Sequence, residues 1–179
     1  MKVFLVAVVL LIAAAGCGSD HKRIVGPDPA PAYSVPSSPL AVLDNLSLAY
    51  SSRDSTECKL LYDDNYVGTS TDQSDGSSLT FSKANEVGHV GALAKIHSIT
   101  TVLLQFPPGL TRFTDAGDPP GWATIQVLNL NLVIEDSPTS LYLNNSGEMN
   151  EFKFVPTTPA ADSPTDTTWK IIRWTEIKN

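Results

Sequence analysis

Apolar positions recur at helical spacing three times before they begin to alternate. Leu43, Leu46, Ala49 and Tyr50 recur at helical spacing after Ser38-Pro39, a capping serine followed by a proline suited to the first helical position. Arg53-Asp54-Ser55 breaks this period, and Asp54 with Glu57 has the form of a capping box. A short second helix through Cys58, Leu61 and Tyr62 is expected to end near Asp63, with Asn65-Tyr66-Val67 extended after it. Residues 70–78 read as a polar loop. Ser82 then caps a third helix with Val87, Val90, Leu93 and Ala94 on one face, and Gly88 and Gly91 placed for close approach to a sheet.

Past residue 97 the pattern becomes extended. Ser98–Phe106 is rich in Thr, Val, Ile and Leu and stops at Pro107-Pro108-Gly109; Asp118-Pro119-Pro120-Gly121 marks another turn. Between Trp122 and Glu135 the spacing predicts the longest strand. Its apolar residues fall on odd positions at Ile125 and Val127 and on even positions from Leu128 to Ile134, which predicts a bulge near 127–128. Leu141–Leu143, Met149–Val155 and Thr168–Ile177 read as further strands, with Asn144-Asn145-Ser146-Gly147 as a turn and Pro156–Asp166 as a loop. Helices followed by four to five antiparallel strands define an α+β layer architecture.

The apolar run from Val3 to Ala15, behind Lys2, is too short to cross a bilayer, which takes roughly 20 residues. It matches the n-region and h-region of a signal peptide. The run ends Ala14-Ala15-Gly16-Cys17, which resembles the lipobox of bacterial lipoproteins, with alanine where that family usually has leucine. The resemblance implies cleavage before Cys17, lipidation (palmitate included) of Cys17, and a membrane-anchored cell-envelope protein. Because residue 18 is Gly rather than Asp, it also implies the periplasmic face of the outer membrane in a Gram-negative host. The alternatives are an ordinary secreted protein cut near Ala15 and an uncut anchor. The organisation expected is a signal peptide over 1–16, a lipidated cysteine and Pro-rich linker over 17–37, and one domain over 38–179. Prolines 27, 29, 31 and 36 favour an extended spacer, reaching on the order of 60 Å at about 3.1 Å per residue.

Composition narrows the partners. The formal charge is −7, with 12 Lys and Arg spread thinly, which argues against nucleic acid. An acidic domain has no electrostatic reason to lie on anionic lipid, so the membrane partner is reached through Cys17 alone. If Cys17 is lipidated, Cys58 has no disulfide partner, and its apolar helical setting reads as a buried, inert thiol.

The domain also resembles the NTF2-like, SnoaL-like superfamily. The residues that carry this are Ala49-Tyr50-Ser51-Ser52-Arg53-Asp54, then Leu60-Leu61-Tyr62-Asp63-Asp64 and Tyr66, the Ser82–Glu86 helix entry, and the closing Trp169-Lys170-Ile171-Ile172-Arg173-Trp174. Cys58 and the Pro-rich turns at 107–121 depart from compact members. The resemblance implies a cone, three helices packed on a bent antiparallel sheet, whose mouth in some members holds a ligand or an active site. Sheets of this kind also dimerise, so a homodimer and a structural, assembly role stand beside ligand binding.

Strict catalytic motifs are absent: no G-x-S-x-G, H-E-x-x-H or C-x-x-C occurs. His89, near the apolar stripe of the third helix, is the catalytic candidate, since an imidazole facing the cone could serve as general base. Its competing reading is a surface or satisfied core histidine. His97 reads as a helix-end cation, and the 89/97 spacing does not suit zinc, so no metal or cofactor is expected. Asp63 and Asp64 read as a solvated helix end. Tyr66, His89, Phe106, Trp122 and Trp174 are the candidate pocket residues. Three functions compete: non-catalytic binding of a small apolar ligand or a protein partner, an envelope isomerase, dehydratase or cyclase, and a dimerising structural lipoprotein.

Overall fold

The computed structural model describes residues 30–136, 139–144 (backbone), 148–157 and 167–178. Residues 1–29, with the expected signal segment and Cys17, lie outside the described residues, as do the expected turn at 145–147 and most of the expected 156–166 loop. Among the described residues, no helix is long and apolar enough to cross a membrane.

Helix α1 spans Pro39–Ser52 and opens as expected, with the Ser38 hydroxyl accepting from the Ala41 amide. It stops where Arg53 enters the left-handed region at φ 54° and its amide turns back to Ala49 and Tyr50. Asp54 caps α2 (Ser55–Leu61) by accepting from the Thr56 and Glu57 amides. Its own amide donates to the Ala49 carbonyl, so the cap has no need of the Glu57 carboxylate. Helix α3 spans Lys83–Lys95 behind a reciprocal box between Ser82 and Asn85.

The second helix is shorter than the spacing predicts, and the sheet begins earlier. Tyr62 opens β1 (Tyr62–Asp72), which turns at residues 73–77 into β2 (Ser78–Ser82). The polar stretch at 70–78 is therefore a hairpin whose arms carry Ser and Thr. Asp63 and Asp64 belong to a strand, not a helix end. Gly91 faces Ser55 of α2, where a Cβ added to the glycine would lie 3.6 Å from the Ser55 Cβ, and nothing lies within 4 Å of such an atom on Gly88, so these glycines do not ease helix onto sheet.

Strand β3 is Ile99–Gln105, β4 is Arg112–Phe113, β5 is Ala123–Leu128, β6 is Asn131–Asp136, β7 is Thr139–Asn144, β8 is Met149–Thr157 and β9 is Thr168–Lys178. The stretch 122–135 is two strands rather than one bulged strand. Asn129 sits at φ 61° between them. The chain leaves a six-stranded sheet, order β2-β1-β9-β8-β5-β4, for a three-stranded one, order β3-β6-β7. The phase change between Val127 and Leu128 marks that exchange of sheets. Pairing is antiparallel except between β1 and β9, which run parallel, so the larger sheet is mixed.

The core lies between the helices and the sheets. Val42, Leu43, Leu46, Cys58, Leu61 and Val90 of the helices meet Tyr62, Val102, Leu104, Ile125, Phe152, Phe154 and Ile171 of the strands. Helix α1 is tied to β3 by polar contacts, Ser47 Oγ to the Leu104 carbonyl at 2.5 Å and the Arg53 guanidinium to the Ile99 carbonyl at 2.9 Å. The residues before α1 are also held. Asn45 accepts from the Ser34 amide and hydroxyl and donates to its carbonyl at 2.7 Å, and the Trp169 amide of β9 donates to the Pro36 carbonyl at 2.8 Å.

Candidate functional site

Three adjacent strands and one helix build a cavity of about 140 Å³. Alternation in β1 puts Tyr66, Gly68 and Ser70 on the inner face, all buried. The register sets Gly68 opposite Phe81 of β2 on one side and Trp174 of β9 on the other, with Ser70 opposite Glu176 one step along. Gly68 thus leaves a notch in a row of aromatic rings. Helix α3 lies over the notch and contributes Glu86 and His89, which the i, i+3 spacing places on one face.

A Cβ on Gly68 would stand 2.4 Å from the Tyr66 hydroxyl and 3.2 Å from Glu86 Oε1, so the bare backbone is what admits this pair. Tyr66 donates to Glu86 Oε1 at 3.1 Å, in a buried setting. Burial pushes the Glu86 carboxyl above the ordinary carboxylate range; the Tyr66 hydrogen bond and His89 oppose this, and Glu176 adds to it. The Tyr66 phenol is also raised, by burial first and by Glu86 next. His89 Nδ1 lies 3.9 Å from Glu86 Oε2, beyond hydrogen-bond reach, and its side chain is 59 % exposed at the cavity's edge. Trp174 is fixed by its indole N–H, which donates to Asn150 Oδ1 at 2.9 Å, and by Phe152, with ring centroids 4.7 Å apart.

Of the residues expected in a pocket, Tyr66, His89 and Trp174 meet here. Phe106 does not. It packs against Phe152, centroids 5.8 Å apart, and borders a surface depression with Leu40, Pro107 and Leu110. Trp122 lies elsewhere too, beneath the Arg173 guanidinium at 5.9 Å. His97 follows α3 in an exposed turn rather than ending it; Lys95 occupies the last helical turn. Asp64 pairs with Lys83 at 2.8 Å, which holds its carboxyl below the ordinary range, and Asp63 accepts from the Asn65 amide at 2.9 Å, so both carboxylates serve local structure. Cys58 is fully buried, and burial, with Glu86 next, pushes its thiol up to about 12. Among the described residues, no three His, Cys, Asp or Glu side chains converge as metal ligands.

Glu86, Gly68 and Glu176 are site residues that the sequence pattern does not single out. Glu86 reads there as part of a helix entry, and Tyr66-x-Gly68-x-Ser70 lies across the boundary between an expected strand and an expected loop. A glutamate one turn before a histidine on a helix is the available signal.

The fold is shared with solved structures. An NTF2-like protein from Cytophaga hutchinsonii superposes with a TM-score of 0.50 at 14 % identity, covering 78 % of this chain and 94 % of that one. The fold is NTF2-like. An NTF2-like protein from Rhodospirillum rubrum, described as of unknown function in nutrient uptake, gives a TM-score of 0.50 at 11 % identity, covering 77 % of this chain and 95 % of its own. No protein-family model matches the sequence. No curated protein matches it either. At such identities the NTF2-like fold is the whole of the likeness, and function rests on the side chains of the cavity.

Proposed function

We propose that this chain is a lipid-anchored cell-envelope protein whose NTF2-like domain binds a small ligand in the cavity under α3 without transforming it. The observation that carries the binding reading is the cavity itself, walled by aromatic rings and crossed by a buried Tyr66–Glu86 pair. Few polar groups converging in an aromatic recess suit recognition of a small molecule. A volume near 150 Å³ accommodates benzene, so about six heavy atoms fit in a space of about 140 Å³. The anchor rests on Ala14-Ala15-Gly16-Cys17 behind the apolar run.

Fragments of that size, screened by thermal shift against the full chain, should stabilise it, and Ser70→Leu, which fills the cavity floor, should abolish the effect. A panel that leaves the melting temperature unmoved would refute the binding reading. For the anchor, radiolabelled palmitate should mark the wild type and not Cys17→Ala; equal labelling of both, or of neither, removes it.

One observation favours a second reading. A carboxyl held above its ordinary range beside a tyrosine and 3.9 Å from a histidine is a set that acid–base chemistry uses. An isomerase or dehydratase of this kind would lose turnover in Glu86→Gln while retaining ligand affinity.

A further inference from the structure

Resting on that binding reading, we propose that the cavity takes a flat ring carrying a hydrogen-bond acceptor, and that the Ser70 hydroxyl is the donor that selects it. The β1–β2 hairpin is rich in hydroxyls, and those around Ser70 are spent within the fold. Thr69 donates to Thr175 at 3.4 Å, Thr71 meets Ser78 at 3.3 Å and Ser82 donates to Asn85 at 2.7 Å. Ser70 is the exception. It is 8 % exposed, it lines the cavity, and among the described residues its hydroxyl makes no hydrogen bond. Buried polar groups are nearly always paired, so an unpaired hydroxyl on a cavity floor marks a place for a guest's polar atom.

The other polar groups of the lining decide which polar atom that is. The Tyr66 hydroxyl proton goes to Glu86 at 3.1 Å and the Trp174 indole N–H to Asn150 at 2.9 Å. A guest's acceptor therefore meets two donors, Ser70 on the floor and the His89 imidazole at the rim, where its side chain is 59 % exposed. Water competes for a hydrogen bond far more at the rim than on the floor, so Ser70 carries the discrimination. Charge adds little to it, because Glu86 is already bonded by Tyr66 and Glu176 meets Lys178 at 3.5 Å. The rings of Phe81 and Trp174 belong to the strands on either side of Gly68. Phe152 and Asn150 hold Trp174 in one orientation, so its ring is a ready wall for a flat guest, and aromatic stacking adds to area burial. A guest about the size of benzene matches a space of about 140 Å³.

The test titrates the full chain, in a non-ionic detergent, with pyrazine, benzene and dioxane, following saturation by NMR of the probe. Pyrazine has both the ring and the acceptor, benzene the ring alone and dioxane the acceptors alone. Pyrazine is expected to bind saturably and at least about threefold more tightly than dioxane. Ser70→Ala should weaken pyrazine about five- to tenfold and leave benzene within about twofold of wild type, which also shows that the cavity is still formed. If Ser70→Ala weakens both rings alike or neither, if dioxane binds as tightly as pyrazine, or if benzene saturates and pyrazine does not, the inference fails while the cavity remains a ligand site. If no probe saturates on the wild type, the binding reading falls with it.

Discussion

A missing side chain does as much for this site as any present one. Gly68 lies where β1 needs an inward-facing residue, and its bare Cα lets the Tyr66 hydroxyl reach Glu86. Gly68→Ala should break that hydrogen bond, because Tyr66 is buried with its ring 4.5 Å from that of Tyr62 and has little room to retreat. The expected cost is about 1–3 kcal/mol, measured by denaturant unfolding; an unchanged midpoint would show that the ring moves freely. Glu86 makes the opposite prediction. Its carboxyl is raised in the folded chain, so the stability it contributes is present below the ordinary carboxylate range and is lost as pH rises through the raised value. Glu86→Gln keeps an acceptor for Tyr66 and removes the buried charge. Its melting temperature should exceed that of wild type by about 2–4 °C near pH 8, with the gap closing towards about pH 4. A gap that widens on acidification would mean that the folded chain favours the ionised carboxylate instead.

At the level of elements, caps and periodicity were legible and sheet membership was not. Ser38, Asp54 and Ser82 are helix starts in the sequence and in the fold, because each cap depends on neighbours within four residues. The phase change at 127–128 was visible as well, but a bulge and a change of sheet leave the same trace in alternation; only Asn129 in the left-handed region, with β6 pairing β3 instead of continuing β5, separates them. Strand β2 was hidden because it is a polar edge strand, exposed along most of its length. The cavity was legible in part: Tyr66, His89 and Trp174 were marked by chemistry, whereas Phe106 and Trp122 were grouped with them by residue type alone. The residue pattern does not mark a polar clamp that lies beyond the cavity. Lys153 of β8 reaches Asp115 at 3.0 Å and Asp118 at 2.6 Å, and Asp118 also accepts from the buried Thr124 hydroxyl at 3.1 Å. These contacts pin the 114–121 loop to the sheet. Lys153→Ala leaves the carboxylates facing one another, and should destabilise the fold by about 1–3 kcal/mol and expose the loop to limited proteolysis. An unaltered digestion pattern would show that Pro119 and Pro120 hold the loop unaided.

For the domain as a whole, the tie between Asn45 and Ser34 decides where any tether leaves it. The segment is fixed from Tyr33, whose hydroxyl donates to Asp54 at 3.2 Å, through Pro36 on β9. Residues 33–36 are thus held against α1, the cap of α2 and β9 rather than standing free of the domain. Asn45→Ala should release residues 33–36, seen as rapid amide exchange at Ser34 with the α1 core still protected. Persistent protection at Ser34 would assign the tie to Trp169 and Pro36 instead.

The place of β9 has a consequence for when the cavity can exist. This strand lies between β1 and β8, and it carries both Trp174 and Glu176. It is also the last strand of the fold to leave the ribosome. A chain halted before Thr168 holds Tyr66, Gly68, Glu86 and His89 but lacks the strand that joins the β2-β1 hairpin to β8. Its helices can form early, since their caps are local, whereas the two halves of the larger sheet have nothing to unite them. Ligand binding should therefore appear in a single step once β9 emerges, and the larger sheet of a nascent chain stays open until that strand is made.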